Sequence, residues 1–283
     1  LVRNSVAWAA RLPLATAEPW PADHRAAVVL AQDVESGFAN ARFAADSLES
    51  AGVPSTFFVT SRLALRNRRV TRTLLRTGEI ASHSEDHRLL GGSAAEEQRQ
   101  RLSATQRDLA RITGASVPGL RPPEEQFDRA TLEAWLAAGG SYVLGTNGGR
   151  TTAPELLAFG DDTLTLLPRT GLDDLAALAR AGGDVGLAES LIEEEFRHIS
   201  GLGGLYAFSY HSQLLARPEN VPIVARLART FAREPSVWVA TAGEVARWWR
   251  ARAAIDLGVR TRGADRLDVI VRNLGNAPVR DAV

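Results

Sequence analysis

The sequence predicts an α/β protein whose parallel strands, about seven of them, form a closed or nearly closed (β/α) barrel, followed by the start of a β-rich C-terminal segment. Three observations lead there. Short apolar runs alternate with helical patterns through most of the 283 residues. Histidine, arginine and carboxylate residues fall where several of those runs end. Beyond residue 254 the pattern changes to strict alternation broken by Gly and Pro. Strand–helix repeats give parallel sheets with right-handed crossovers, and seven or eight units favour a closing sheet over an open one.

The elements follow in order. Ala26-Ala27-Val28-Val29-Leu30-Ala31 is an unbroken apolar run, the mark of a strand buried on both faces, and it ends at Gln32-Asp33. A helical stretch over 38–51 stops at Gly52 and Pro54. Thr56-Phe57-Phe58-Val59 is the second strand. Helical pattern through Leu74 and Leu75 ends at Gly78, and Glu79-Ile80-Ala81-Ser82 is a third strand running into His83. Ser93 and Glu96 have the spacing of a capping box before a long helix to about Ile112, with Gly114 as its stop. Gly119-Leu120-Arg121 is a short strand leading to Pro122-Pro123, and Asp128 caps a helix that reaches Gly139. Strands at 141–145 and 164–167 precede helices near 173–180 and 188–199. The strand 205–210, a helix over 221–233 and the strand 237–240 come next; Thr241 and Glu244 then cap a helix carrying Trp248 and Trp249.

The barrel is expected over 22–253. Residues 1–21 are expected to be the tail of a preceding domain or a linker, and 254–283 part of a truncated β-domain. Additional domains of the same chain are therefore expected. Residues 1–8 also look similar to the end of a glutamine-amidotransferase-like domain.

Composition narrows the chemistry. There is no cysteine, which excludes thiolate ligands, zinc fingers and a nucleophilic thiol. Basic and acidic residues balance at 33 each, so no net field draws the chain to nucleic acid or anionic lipid. No apolar run approaches the roughly 18 residues of a membrane-spanning segment.

Two of the five histidines, His83 and His87, stand four apart just after a buried strand. One helical turn or a tight loop would bring such a pair to one metal ion. Asp33-Val34-Glu35 ends the first strand, and carboxylates two apart on an extended strand point to the same side. One could bind a metal while the other accepts a proton from its water, the two jobs that amide hydrolysis at neutral pH requires. His211 ends a late strand and could protonate a leaving amine. Arg121 could grip Asp33 bidentately. His24 and His198 are read as structural. Trp135, Trp238, Trp248 and Trp249 have the spacing of core residues more than of a sugar platform.

The order Asp-x-Glu, His-Ser-x-x-His, Arg-Pro-Pro and late Tyr-His, over about 26–250, resembles the NodB-like polysaccharide deacetylases. That resemblance implies a distorted (β/α) barrel removing N-acetyl groups from amino sugars of a glycan substrate. It implies one divalent metal ion, zinc or a similar cation, held by Glu35, His83 and His87. It makes Asp33 the general base and His211 the general acid. The chain departs from the family pattern in three places. Val34 separates the two acidic residues, which leaves the roles of Asp33 and Glu35 exchangeable. Glu124 follows Arg-Pro-Pro. No aspartate stands near 141–145 to assist the late histidine, where Thr146 and Asn147 are found. Allantoinase-like hydrolysis of a small amide or ureide, and a non-catalytic glycan-binding module, are the alternative functions.

Overall fold

The computed structural model describes residue 9 and residues 14–146, 151–262, 266–275 and 278–279. The 1–8 resemblance and Asn147 lie outside the described residues. The chain divides into two compact units, His24–Ala246 and a smaller one made of Leu1–Asp23 with Arg247–Val283.

In the larger unit the apolar runs become strands β1 (Ala26–Val34), β2 (Ser55–Val59), β3 (Gly78–Ser82), β4 (Gly119–Leu120) and β5 (Tyr142–Leu144). Strands β6 (Glu155–Phe159), β7 (Asp162–Leu167), β8 (Leu205–His211) and β9 (Val237–Val239) complete its sheet. The hydrogen-bonded order is β6-β7-β5-β4-β3-β2-β1-β8. Every pairing is parallel except the β6–β7 hairpin, whose first strand was not among those expected from the sequence. Strand β1 is long enough to serve two neighbours on one edge. Its residues Ala26–Val28 pair with β9, and Ala31–Val34 pair with β2.

The sheet is curved without being closed by strand pairing among the described residues. At the seam, Leu205 N donates to Thr152 O at 2.6 Å, a loop contact instead of a ladder. The antiparallel β6 occupies the edge where a further parallel strand would complete a ring.

Helices α1 (Ala41–Ala51), α2 (Ser61–Arg66), α3 (Arg68–Leu74), α4 (Ala95–Thr113) and α5 (Arg129–Ala137) follow the first strands. Helices α6 (Asp174–Arg180), α7 (Val185–Gly201), α8 (Val221–Ala232) and α9 (Ala242–Ala253) follow the later ones. Two apolar layers form where helices cover the sheet. One joins Val28, Leu30, Phe208 and Tyr210 to Ile192, Phe196, Leu227 and Phe231. The other joins Phe57, Val59, Ile80 and Leu120 to Leu102, Leu109 and Trp135. Because side chains alternate along a strand, Ala27, Val29, Ala31 and Asp33 face the opposite side of β1 from Val28 and Leu30. That alternation is what aims Asp33 into the mouth of the sheet.

Caps matched the sequence in two places of three. Asp128 and Thr131 form a reciprocal capping box at α5, and Thr241 with Glu244 does the same at α9. The box expected from Ser93 and Glu96 does not form. The N-cap of α4 is Ala94, Ser93 O instead accepts from the Gln98 amide, and Glu96 pairs with Arg99. Trp135 is core, with its Nε1 donating to Tyr142 O at 3.1 Å. In the smaller unit, β10 (Ile255–Thr261) and β11 (Leu267–Asn273) form an antiparallel hairpin. There Trp249 packs on Trp20 at 5.3 Å, and Trp248 Nε1 donates to Pro19 O at 2.9 Å.

Asp128 also accepts from Gly92 N and from Gln98, tying the loop before α4 to α5. Asp128→Ala should therefore lower stability by about 1–2 kcal/mol in urea denaturation, with the m-value unchanged.

Candidate active site

The parallel register fixes where the functional residues meet. Asp33 lies opposite His211 in the β1–β8 ladder, and Ser82 lies opposite Leu120 in the β3–β4 ladder, so Asp33, His83, Arg121 and His211 all sit at carboxyl ends of neighbouring strands. They line a cavity of about 760 Å³ together with Glu35, His87, Glu124, Glu125, Arg169 and Gln213.

Glu35, His83 and His87 offer ligand atoms within 4.8 Å of one another. The His83–His87 spacing is produced by a tight loop, the second of the two possibilities its sequence allowed. Ser84 and His87 both adopt the left-handed region, with φ of 64° and 65°. Such conformations cost about 1–3 kcal/mol each and persist where the surroundings over-determine them. Here the surroundings are Ser84 O and Glu85 O, which accept the first free N–H groups of α2 from Ser61 and Arg62. The buried Arg101 of α4 adds bonds to Leu89 O, Arg88 O and Asp86.

His83 Nδ1 lies 2.7 Å from Arg121 O. A carbonyl only accepts, so Nδ1 carries the proton and Nε2 is left bare, the tautomer a metal ligand needs. Burial, the largest influence, disfavours the charged form and lowers the His83 pKa, which also keeps the ring neutral. His87 Nε2 contacts Glu35 Oε2 at 2.7 Å, and the Gln213 amide donates to Glu35 Oε1. Donating to the Glu35 carboxylate raises the His87 pKa. Burial would raise Glu35, but its bonds to His87 and Gln213 outweigh that and hold it low. Two imidazoles and a carboxylate, with orienting partners behind them, are a donor set that suits zinc or a similar divalent ion.

Across the cavity, Asp33 is buried and accepts from Arg121 Nε at 2.8 Å. Burial would raise its pKa, yet the charges of Arg121 and His211 hold the carboxyl below its usual range. The bidentate grip expected of Arg121 is not made. Its Nη2 goes to Glu125 Oε1 at 3.0 Å instead. His211 Nε2 lies 3.7 Å from Asp33 Oδ2.

The aspartate sought near 141–145 is supplied from elsewhere. Asp174, in the first turn of α6, meets His211 Nδ1 at 2.6 Å and accepts from His211 N at 2.8 Å. Its neighbour Asp173 caps the helix by accepting from Ala176 N, so the Asp173-Asp174 pair divides into one cap and one fully buried side chain. The doubled acidic residue at a helix start was the sequence signal. Glu125 was also missed; its carboxylate binds Arg121 and Arg169 and accepts from Thr146 N. The departure at Glu124 places an exposed carboxylate on the cavity wall, at a left-handed φ of 52°. None of Trp135, Trp238, Trp248 and Trp249 lines the cavity, whose described lining includes no Phe, Tyr or Trp.

Burial disfavours a charged His211, but the Asp174 hydrogen bond and the Asp33 charge raise its pKa to about 9. NMR titration should find the His211 imidazole protonated up to about pH 9, and Asp174→Asn should move that titration down toward the ordinary value near ~6.5. The folded pKa exceeds the unfolded one. The pair's contribution to stability is thus complete below about pH 6.5 and is lost as pH rises through about 9.

Residues 27–143 match the family model of polysaccharide deacetylases. No curated protein matches the chain. Among solved structures, it is similar to a protein assigned as a polysaccharide deacetylase from Mycobacterium smegmatis, at TM-score 0.74 and 23% identity over 85% of this chain and 96% of that one. PuuE allantoinase aligns at TM-score 0.71 and 16% identity, over 84% of this chain and 94% of its own. A protein assigned as a polysaccharide deacetylase from Pseudomonas aeruginosa PAO1 aligns at 0.70 and 18%, over 84% and 95%. At such identities the structural likeness is one of fold.

Proposed function

We propose that this chain, whose residues 27–143 match the family model of polysaccharide deacetylases, is a metal-dependent hydrolase that removes N-acetyl groups from an amino-sugar polysaccharide. A cell-wall or extracellular glycan is the substrate class we favour. One observation carries the reading: a His–His–carboxylate triad, an ionised buried aspartate and a protonatable histidine converge on a single cavity.

Glu35, His83 and His87 would hold the cation. When bound, a divalent ion there supplies Lewis-acid polarisation and makes water acidic enough to be deprotonated near neutral pH. Asp33 takes that proton. Its carboxyl is held ionised by Arg121, and its Oδ1 carries no hydrogen bond from the described residues. His211 then gives its Nε2 proton to the departing amine. Asp174 keeps Nδ1 protonated and the ring fixed, so the acid stays charged through neutral pH. Asp33 and Glu35 thus separate by environment, the first gripped by arginine and the second by His87 and Gln213.

A second reading keeps the site and changes the substrate to a small amide or ureide. It is favoured by a cavity walled by carboxylates, imidazoles and guanidiniums with no large aromatic face among its described lining residues. Acetate release from chitooligosaccharides, set against turnover of small ureides, separates the two. Activity on ureides alone would overturn the glycan reading.

Elemental analysis of the purified protein should find about one zinc, cobalt, nickel or manganese ion per chain, lost in His83→Ala/His87→Ala. Metal content unchanged by that double substitution would refute the site. Asp33→Asn and His211→Ala should each keep the metal and lower kcat by about 10²- to 10⁴-fold in the acetate-release assay.

A further inference from the structure

Arg121 presents Nε and Nη2 along one edge, the fork that commonly engages both oxygens of a single carboxylate. In this site the fork is split. Nε donates to Asp33 Oδ2 at 2.8 Å, while Nη2 reaches Glu125 Oε1 at 3.0 Å. His211 Nε2 also faces Oδ2, so both cations lie against one oxygen of Asp33. The other oxygen, Oδ1, is buried and accepts no hydrogen bond from the described residues.

Glu125 holds its place at a backbone cost. Its φ is 55°, a left-handed conformation natural to glycine and unfavourable for a long side chain. What keeps it there is a saturated carboxylate: Arg121 Nη2 and Arg169 Nε on Oε1, and the Thr146 N–H on Oε2 at 2.9 Å. Arg169 is itself tied to Gly171 O at 2.7 Å, so the arrangement is anchored at its far end.

We propose that Glu125 is a positioning residue for the hydrolysis: by occupying Nη2 it stops Arg121 from closing bidentately on Asp33 and leaves Oδ1 open to receive the proton of water. The proposal rests on the hydrolase reading above for its chemistry, and on the split fork for its geometry.

The test is a set of crystal structures and kinetics for wild type, Glu125→Gly, Glu125→Asn and Glu125→Gln. Glycine takes the left-handed backbone freely, and asparagine tolerates it while being too short to reach Nη2. Either variant should show Asp33 turned to accept both Nε and Nη2. Its kcat should fall about 10- to 100-fold with KM within about twofold. Glu125→Gln retains an oxygen for Nη2, so it should keep the single Arg121–Asp33 bond and stay within about threefold of wild type. Asp33 still bound through one oxygen in both Glu125→Gly and Glu125→Asn would overturn the proposal, as would a closed fork with unchanged kcat. A wild type that hydrolyses no amide would sink the hydrolase reading instead, and the crystal structures decide the role of Glu125 without any turnover.

Discussion

The contact on which the rest of the site depends is the buried ion pair between Asp33 and Arg121. Two charges removed from water are tolerable only when each is matched, and removing one partner of such a pair typically costs about 3–5 kcal/mol. Asp33 ends β1 and Arg121 follows β4, so the pair fastens strand ends that β2 and β3 separate. The same arginine holds His83 through its carbonyl and Glu125 through Nη2. One residue thereby sets the geometry of Asp33, the tautomer of His83 and the wall of the cavity.

Around that pair the strain is concentrated in the loops. Ser84, His87, Glu124 and Glu125 all have positive φ and all border the cavity or its ligand loop. The rigid parallel ladder beneath them, fully buried from Ala26 to Val34, is what can sustain such backbone. Parallel strands deliver their carboxyl ends to one rim, and the connecting loops are then free to take shapes suited to the side chains they carry.

The electrostatic pattern follows the division of labour. Burial penalises charge everywhere in the cavity, yet it has opposite outcomes for two histidines. His83, fully enclosed and beside Arg121, is pushed toward neutrality by burial and that charge, whereas His211, facing Asp174 and Asp33, is held protonated. A neutral imidazole suits a metal ligand and a charged one suits an acid, so the environments push the two apart in the directions the proposed hydrolysis requires.

The sequence by itself determined the strand–helix alternation, the parallel class and the residues at strand ends, because burial on both faces leaves an unmistakable apolar run and a barrel mouth collects polar residues at its end. Asp33, Glu35, His83, His87, Arg121 and His211, singled out from the sequence, line one cavity in the structure. Only the tertiary structure decided what lies far apart in the chain or depends on direction. Asp174 is 37 residues from His211, and nothing local in the sequence marks it as that histidine's partner. Glu125 is enclosed by Arg121 and by Arg169, the latter 44 residues away in the chain. The antiparallel β6 carries a short apolar run, Leu156-Leu157-Ala158-Phe159, but its direction and its place at the sheet edge follow from pairing with β7, which a local pattern does not record. Whether Arg121 would grip Asp33 with one bond or two depended on a third side chain, and no local pattern records a competition for a hydrogen-bond donor.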